Sequence, residues 1–286
     1  MKGIVLAGGV GSRLSPITFS VSKQLLPVFD KPLIYYPIST LMLAGIREQL
    51  IITTPRDVDS FVRLLGDGSQ LGMSFQYLIQ DAPRGIADAF LLGRNFVGDS
   101  EVCLALGDNL LHGSGLGTQL SKLRNINGAH IFAYKVADPQ NYGVVEFDEE
   151  FQAVSIEEKP FSPKSGYAVP GLYFYENDVL EVAKSLKPSS RGELEITDVN
   201  RVYLAQKRLK VELLPRGTAW LDTGDAGNLL AAGMYVKIIE ERQGYKIACL
   251  EEIAWRNKWI NDEQLKQTVN RYGGNQYNAY IESLLN

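Results

Sequence analysis

The sequence predicts an α/β protein: a mixed, mainly parallel sheet flanked by helices, with an inserted β-rich portion and helices at the C-terminal end. Three observations lead there. Apolar runs of strand length alternate with helix-length amphipathic segments through the first half of the chain. The first of these runs empties into a glycine-rich loop, as a buried strand does where it turns toward a helix. From about Tyr142 the alternation gives way to closely spaced strand-like stretches before helices resume.

Taken in order, Gly3–Leu6, Leu50–Thr53, Ser74–Ile79, Val102–Leu106 and His130–Lys135 read as strands. Their continuous apolar character suits strands covered on both faces. Between them Leu33–Ala44, Val58–Leu65, Ile86–Asn95 and Leu116–Asn125 read as helices. The β-rich portion is expected at Gly143–Phe147, Ala153–Glu157 and Val169–Tyr175. Helices follow at Asp178–Leu186 and Glu195–Ala205, then a strand at Lys210–Leu214. A long helix opens at Asp225 or Gly227 and runs through Glu240, and the tail beyond Arg242 holds two further helical stretches.

The 286 residues allow one large α/β domain or two modest ones. A net charge of −4 without any long basic run argues against a nucleic-acid partner, whereas a small anionic ligand needs only a few local cations. Cys103 and Cys249 are the only cysteines, so a disulfide framework or zinc site is not expected. His112 and His130 lack metal-ligand spacing. No apolar stretch reaches membrane-spanning length, and the first strand leaves no room for a signal peptide. A cytoplasmic protein with no membrane partner is the expectation.

Chemistry concentrates in the loops. Gly8, Gly9 and Gly11 free backbone N–H groups for an anion, and Arg13 adds a rigid fork of donors. The spacing is not that of a P-loop, because Ser12-Arg13-Leu14 stands where Lys and Ser/Thr would follow the last glycine. Nor is it a dinucleotide fingerprint, which would want glycine at Leu14. Asp108 lies just beyond the carboxyl end of a buried strand, and Asp222 repeats that apolar-to-acid transition. Together they suit Mg²⁺; the plainer alternative for Asp108, an Asx turn or helix cap, carries less weight at this position. Glu158-Lys159 reads either as part of a site or as a solvated strand end. The loop Gln80–Ala87 offers amide and backbone groups to a nucleobase edge, or is an ordinary loop with Asp81 in a turn. Arg191 precedes a helix start and Tyr142-Gly143 a strand, each with an unremarkable structural explanation.

In this order the pieces resemble the sugar-1-phosphate nucleotidyltransferases, and among them the short bacterial glucose-1-phosphate thymidylyltransferases. The likeness runs over essentially the whole chain. It is carried by the loop Gly8–Leu14, Ser22–Pro27, Lys31–Pro37, Leu65–Gly68, Leu106–Asn109, Tyr142–Phe147, Glu157–Pro160, Gly171–Tyr175, Arg191–Asp198, Trp220–Gly224 and, in the tail, Cys249–Arg256. The resemblance implies a Rossmann-like core over 1–240, with 1–110 mainly nucleotide-binding and 111–225 mainly sugar-binding, and a helical segment at 241–286 for assembly and regulation. It implies transfer of a thymidylyl group from dTTP to α-D-glucose 1-phosphate, Mg²⁺ as cofactor and a homotetramer.

Residue by residue, it implies that Leu6, Gly8, Gly9, Gly11, Gln24, Gln80, Pro83, Gly85 and Asp108 bind the nucleotide. Arg13, Lys23 and Lys159 would be catalytic, and Asp108 and Asp222 would hold the metal. Asn109, Tyr142, Gly143, Glu158, Lys159, Val169 and Arg191 would bind the sugar phosphate, and Glu252 and Arg256 would belong to a regulatory nucleotide site. Three departures stand out. Arg84 and Asp88 replace the family's Asp and Gln around the base loop; Asp225-Ala226 replaces Thr-His after Gly224; and Leu110–Gly113 lacks the usual aromatic pair. The rival readings are a uridylyltransferase or dual dTTP/UTP enzyme on a related sugar phosphate, and a non-catalytic nucleotide-sugar sensor.

Overall fold

The computed structural model describes residues 1–285. From the N-terminus the chain forms β1 (Lys2–Leu6), a short hairpin of β2 (Pro27–Val28) and β3 (Lys31–Pro32), α1 (Tyr35–Leu43), β4 (Glu48–Thr53), α2 (Val58–Leu65), β5 (Ser74–Ile79), α3 (Asp88–Leu92), α4 (Arg94–Val97), β6 (Val102–Leu106), β7 (Asn109–His112) and α5 (Leu116–Leu120). It continues through β8 (Ala129–Lys135), β9 (Gly143–Phe147), β10 (Ala153–Glu158), β11 (Tyr167–Ala168), β12 (Leu172–Tyr175), α6 (Val179–Ser185), α7 (Ile196–Ala205), β13 (Leu209–Leu213), β14 (Ala219–Asp222) and α8 (Ala226–Gln243). The tail adds α9 (Leu250–Arg256), α10 (Asp262–Tyr272) and α11 (Gln276–Ser283).

Ten strands make one sheet in the order β10-β9-β11-β8-β12-β6-β1-β4-β5, with β13 also on β8. The β6-β1-β4-β5 half is parallel, and β12 enters antiparallel between β6 and β8. The mixed, mainly parallel α/β sheet expected from the sequence is therefore the fold. Period-two alternation sends successive side chains of β1 to opposite faces. Val5 joins an apolar layer with Ile38 and Leu41 of α1, Phe61 of α2 and, from the tail, Leu250 and Ile281. Ile4 joins the other layer, with Phe90 of α3, Val179 and Ala183 of α6, and Val199 and Tyr203 of α7. Both cysteines are buried and free.

Several boundaries differ from expectation, each for a local reason. Ile86–Asn95 is two short helices, α3 and α4, interrupted where Gly93 lies against Ile4 and Leu50 of the sheet. Leu116–Asn125 keeps helical geometry only to Leu120, and Asn125 has a positive φ of 54°. Val169–Tyr175 is not one strand: Pro170 has no N–H to give, so β12 starts at Leu172 while Tyr167–Ala168 pairs separately with β8 and β9. The tail beyond Arg242 contains three helices rather than two. An unforeseen antiparallel ribbon joins β14 to β7 in the register Asp222↔Asn109, Leu221↔Leu110. Among the described residues no helix is long and apolar enough to cross a membrane.

Candidate active site

The parallel strands β1 and β6 end side by side, Leu6 paired with Leu106 and its carbonyl accepting from Gly107 N at 2.9 Å. Beyond them opens a cavity of about 480 Å³, bounded by Arg13, Asp108, Lys159 and Asp222 among others. The β7–β14 ribbon brings the two aspartates together. With Asn109 opposite Asp222, Thr223 closes onto the Asp108 carbonyl through its N–H (3.2 Å) and its hydroxyl (2.9 Å). Asn109 is the brace. Its Oδ1 accepts from Gly171 N (2.9 Å) and Trp220 Nε1 (2.6 Å), while its Nδ2 donates to Asp108 Oδ1 at 2.9 Å.

Lys23 is almost fully buried and donates to Asp108 Oδ2 at 2.5 Å. Burial works to raise the Asp108 carboxyl, but the adjacent Lys23 ammonium holds it below the usual carboxylate range. Asp222 has no such partner at contact distance. Burial, and then the Asp108 charge, push it up to about 6, against the pull of Lys23 and Arg13. The free site thus holds two carboxylates close enough to oppose each other, with one cation committed to one of them. Arg13 lies over the α-carbon of Gly224, where an added Cβ would fall 2.8 Å from its guanidinium. It makes no ion pair among the described residues.

The glycine-rich loop is shaped by contacts that exclude larger residues. Gly11 has φ 67°, and a Cβ there would fall 2.9 Å from Thr18 Cγ2, whose hydroxyl donates to the Gly11 carbonyl at 2.8 Å. A Cβ on Gly8 would stand 2.7 Å from Gln80 Oε1, so Gln80 faces this loop, whereas Gly9 has open space above it. Gln24 is buried, its Oε1 accepting from Ser22 Oγ at 2.8 Å, and packs beneath Gly107. Gly85 (φ 101°) threads against the backbone of Leu194, which in turn donates to the Arg84 carbonyl at 2.8 Å. The base loop therefore leans on the Arg191–Glu195 segment. Pro83 is exposed.

On the opposite wall, β9 and β10 deliver Gly143 and Glu158. Glu158 Oε2 accepts from the Thr197 hydroxyl at 2.6 Å, at the start of α7. Lys159 follows β10 in the left-handed region (φ 43°), tied by its N–H to the Tyr142 carbonyl at 2.9 Å, with its side chain half exposed. Strand alternation therefore stops at Glu158 instead of carrying through the Glu-Lys pair. Val169 N donates to the Gly143 carbonyl at 2.8 Å. Burial and the nearby Asp222 charge push the Tyr142 phenol up. Arg191 is held by Glu195, with Glu158 at 3.5 Å.

Most of the residues singled out in the sequence surround this cavity or the glycine loop. Glu252 and Arg256 do not. They pair with each other on α9 (2.7 Å), Tyr280 donates to Glu252, and Arg256 borders a separate hollow of about 670 Å³ over Trp255–Gln264. Thr197, Asn200, Tyr173 and Trp220 line the cavity without having been singled out for a role. Trp220 stood two residues before Asp222, and the strand's period of two was a usable signal for it. Nothing local marked Thr197. Asp225, the unexpected carboxylate, is the N-cap of α8 and accepts from Asn228 N and Nδ2.

An open α/β sheet with acids and cations meeting beyond its carboxyl strand ends is an arrangement suited to phosphorylated ligands. A model of the family described as nucleotidyl transferase matches residues 2–237, and the chain belongs to that family. The glucose-1-phosphate thymidylyltransferase of Mycobacterium tuberculosis is 58% identical over 285 residues, covering 100% of this chain and 99% of that one. The enzyme of the same description from Neisseria meningitidis is 56% identical over 286 residues, with the same coverage. Among solved structures, a Bacillus anthracis protein described as a glucose-1-phosphate thymidylyltransferase, in complex with sucrose, superposes with a TM-score of 0.76 at 40% identity, over 82% of this chain and 94% of that one. A UDP-glucose pyrophosphorylase complexed with UDP-glucose gives a TM-score of 0.72 at 26% identity, over 83% and 98%.

Proposed function

We propose that the chain is a nucleotidyltransferase that joins dTTP to α-D-glucose 1-phosphate, releasing pyrophosphate and dTDP-glucose. The observation that carries this reading is the identity of 52–58% with glucose-1-phosphate thymidylyltransferases, over 99–100% of the chain. The convergence of Arg13, Lys23, Asp108, Lys159 and Asp222 supplies its chemistry.

A sugar-phosphate oxygen attacks the α-phosphorus in line with the departing pyrophosphate. The nucleophile is already anionic at neutral pH, so a general base has nothing to remove. The barrier is the approach of two polyanions, and fixed cations lower it by position and charge. In this reading the Gly8–Gly11 loop and Arg13 hold the triphosphate and Lys23 the reacting phosphate. Gln80 and Gly85 meet the base; Leu6, Gln24 and Pro83 shape the nucleotide side. Gly143, Glu158 and Val169 meet the sugar, with Asn109 and Tyr142 beside them, and Lys159 and Arg191 take its phosphate. Asp108 and Asp222 fit Mg²⁺: two partly buried acids whose mutual repulsion a hard cation relieves, leaving room for phosphate oxygens. When bound, such an ion neutralises charge at the reacting phosphates.

The division into a nucleotide half, a sugar half and a helical tail, and assembly as a homotetramer with Glu252 and Arg256 near a regulatory site, belong to the same proposal. So does a cytoplasmic location, which suits two charged, membrane-impermeant substrates. Use of UTP is a second reading, favoured by the likeness to a protein complexed with UDP-glucose. One methyl group separates the bases and contributes only about 1 kcal/mol. The test is a pyrophosphate-release matrix of nucleoside triphosphates against sugar 1-phosphates, with and without Mg²⁺. Release with dTTP and glucose 1-phosphate, dependent on Mg²⁺, is expected. Release with no pair would replace the enzyme by a nucleotide-sugar sensor.

A further inference from the structure

The base loop contains a polar chain that the reaction itself does not use. Asp88, the first residue of α3, is buried, and its Oδ2 accepts from Gln80 Nε2 at 2.9 Å. The same oxygen lies 3.4 Å from Arg84 Nε, and Arg84 is anchored a second time on Asp81 at 2.9 Å. A carboxylate paired with a guanidinium has only lone pairs to offer, so it can hold the NH₂ end of a glutamine amide and not the oxygen end. Gln80 is itself buried, and its Oε1 consequently points the other way, toward Gly8 of the glycine loop, where an added Cβ would fall 2.7 Å from it. Among the described residues no donor reaches that oxygen.

We infer that Asp88 is a positioning residue that fixes which end of Gln80 faces the nucleobase, and thereby selects pyrimidines carrying an N3–H. Thymine and uracil present that donor to an outward oxygen. Cytosine presents a lone pair at the same position and meets acceptor against acceptor, a mismatch that leaves both groups unpaired. The selection is between imide and amidine edges, and it leaves thymine against uracil untouched. This inference rests on Gln80 contacting the base, so its test must separate the two claims.

The experiment compares kcat/KM for dTTP, dUTP and dCTP with glucose 1-phosphate, and dCTP as a competitive inhibitor, in wild type, Asp88→Asn, Asp88→Glu and Gln80→Met. Asparagine offers an oxygen and an NH₂, so Gln80 can turn either way. The dTTP:dCTP preference should fall by roughly tenfold or more, on the scale of one unmade hydrogen bond. The dTTP:dUTP ratio should hold, and Asp88→Glu should restore the wild-type preference. Should Asp88→Asn not fold, Asp88→Ser poses the same question, because a hydroxyl also gives and accepts. A parallel loss on all three nucleotides, or an unchanged dTTP:dCTP ratio where Gln80→Met abolishes it, overturns the role of Asp88. An unchanged ratio in Gln80→Met overturns the base contact instead.

Discussion

Replacing Asp222 by asparagine should stabilise the ligand-free protein while removing its turnover. In the free site the Asp222 carboxyl is raised from 3.8 to about 6, by burial and then by Asp108. In the unfolded chain neither cause operates. At about 1.36 kcal/mol per pH unit, the difference makes ionised Asp222 cost the fold on the order of 2–3 kcal/mol. The sign follows from proton counting. Between about pH 4 and 6 the folded state binds more protons at this residue than the unfolded state does, so its contribution to stability falls as pH rises through that window. Above it the cost is complete; below it the cost is absent. Urea unfolding without divalent ions should show Asp222→Asn more stable than wild type by about 2 kcal/mol at pH 8, the gap closing toward pH 4. Mg²⁺ should narrow the gap at pH 8 by stabilising wild type alone. Wild-type activity at limiting Mg²⁺ should decline as pH drops through about 6, where protonation of Asp222 competes with the metal, and saturating Mg²⁺ should move the decline to lower pH. A variant equally or less stable than wild type at pH 8 would refute the argument that these acids repel.

Three further substitutions probe other parts of the molecule. Arg13→Ala should lower turnover on the order of a hundredfold in pyrophosphate release, the scale of one lost preorganised donor, with the thermal midpoint little changed. Gly85→Ala forces a Cβ to within 2.4 Å of the Leu194 carbonyl at a φ of 101°. It should push the base loop off its support and raise KM for the nucleotide more than it lowers kcat, at a stability cost of about 1–3 kcal/mol. Glu240→Ala strips a buried carboxylate that accepts from Lys31 Nζ (2.8 Å), Lys246 Nζ (2.8 Å) and Ile247 N (2.9 Å). Lys31 keeps its ion pair with Asp30 (2.5 Å) but loses its buried acceptor, and the Ile247 N–H is left without one, so the variant should cost about 1–3 kcal/mol in urea unfolding, with kcat retained in whatever remains folded.

The central strands were legible because a strand buried on both faces has little choice of composition. β1, β4, β5 and β6 end within a residue or two of where their apolar runs end. That in turn made Asp108 legible, since an acid just past such a run must emerge at the sheet's edge. What brings Asp222 beside it was not. The β7–β14 ribbon pairs residues more than a hundred positions apart, and its register depends on Asn109 gathering Gly171 and Trp220. Thr197 and Asp225 show the same limit from two sides. One is a helix-start threonine whose hydroxyl is spent on a distant Glu158, the other a carboxylate that caps its own helix. Local sequence marks where a polar group can leave the core, and only tertiary pairing decides what it meets.

The same pairing explains why a site rich in charge can rest without its ligands. Lys23 is committed to Asp108, and Arg191 to Glu195, so two of the cations assigned to phosphates already have carboxylate partners. Arg13 and the half-exposed Lys159 are the less committed pair, and both border the cavity. An arriving polyanion can therefore meet Arg13 and Lys159 before it competes for Lys23. Freeing Lys23 from Asp108 leaves two opposed carboxylates together, an arrangement that a divalent cation relieves. Metal and nucleotide should thus bind with positive coupling: each lowers the cost of the exchange that the other requires.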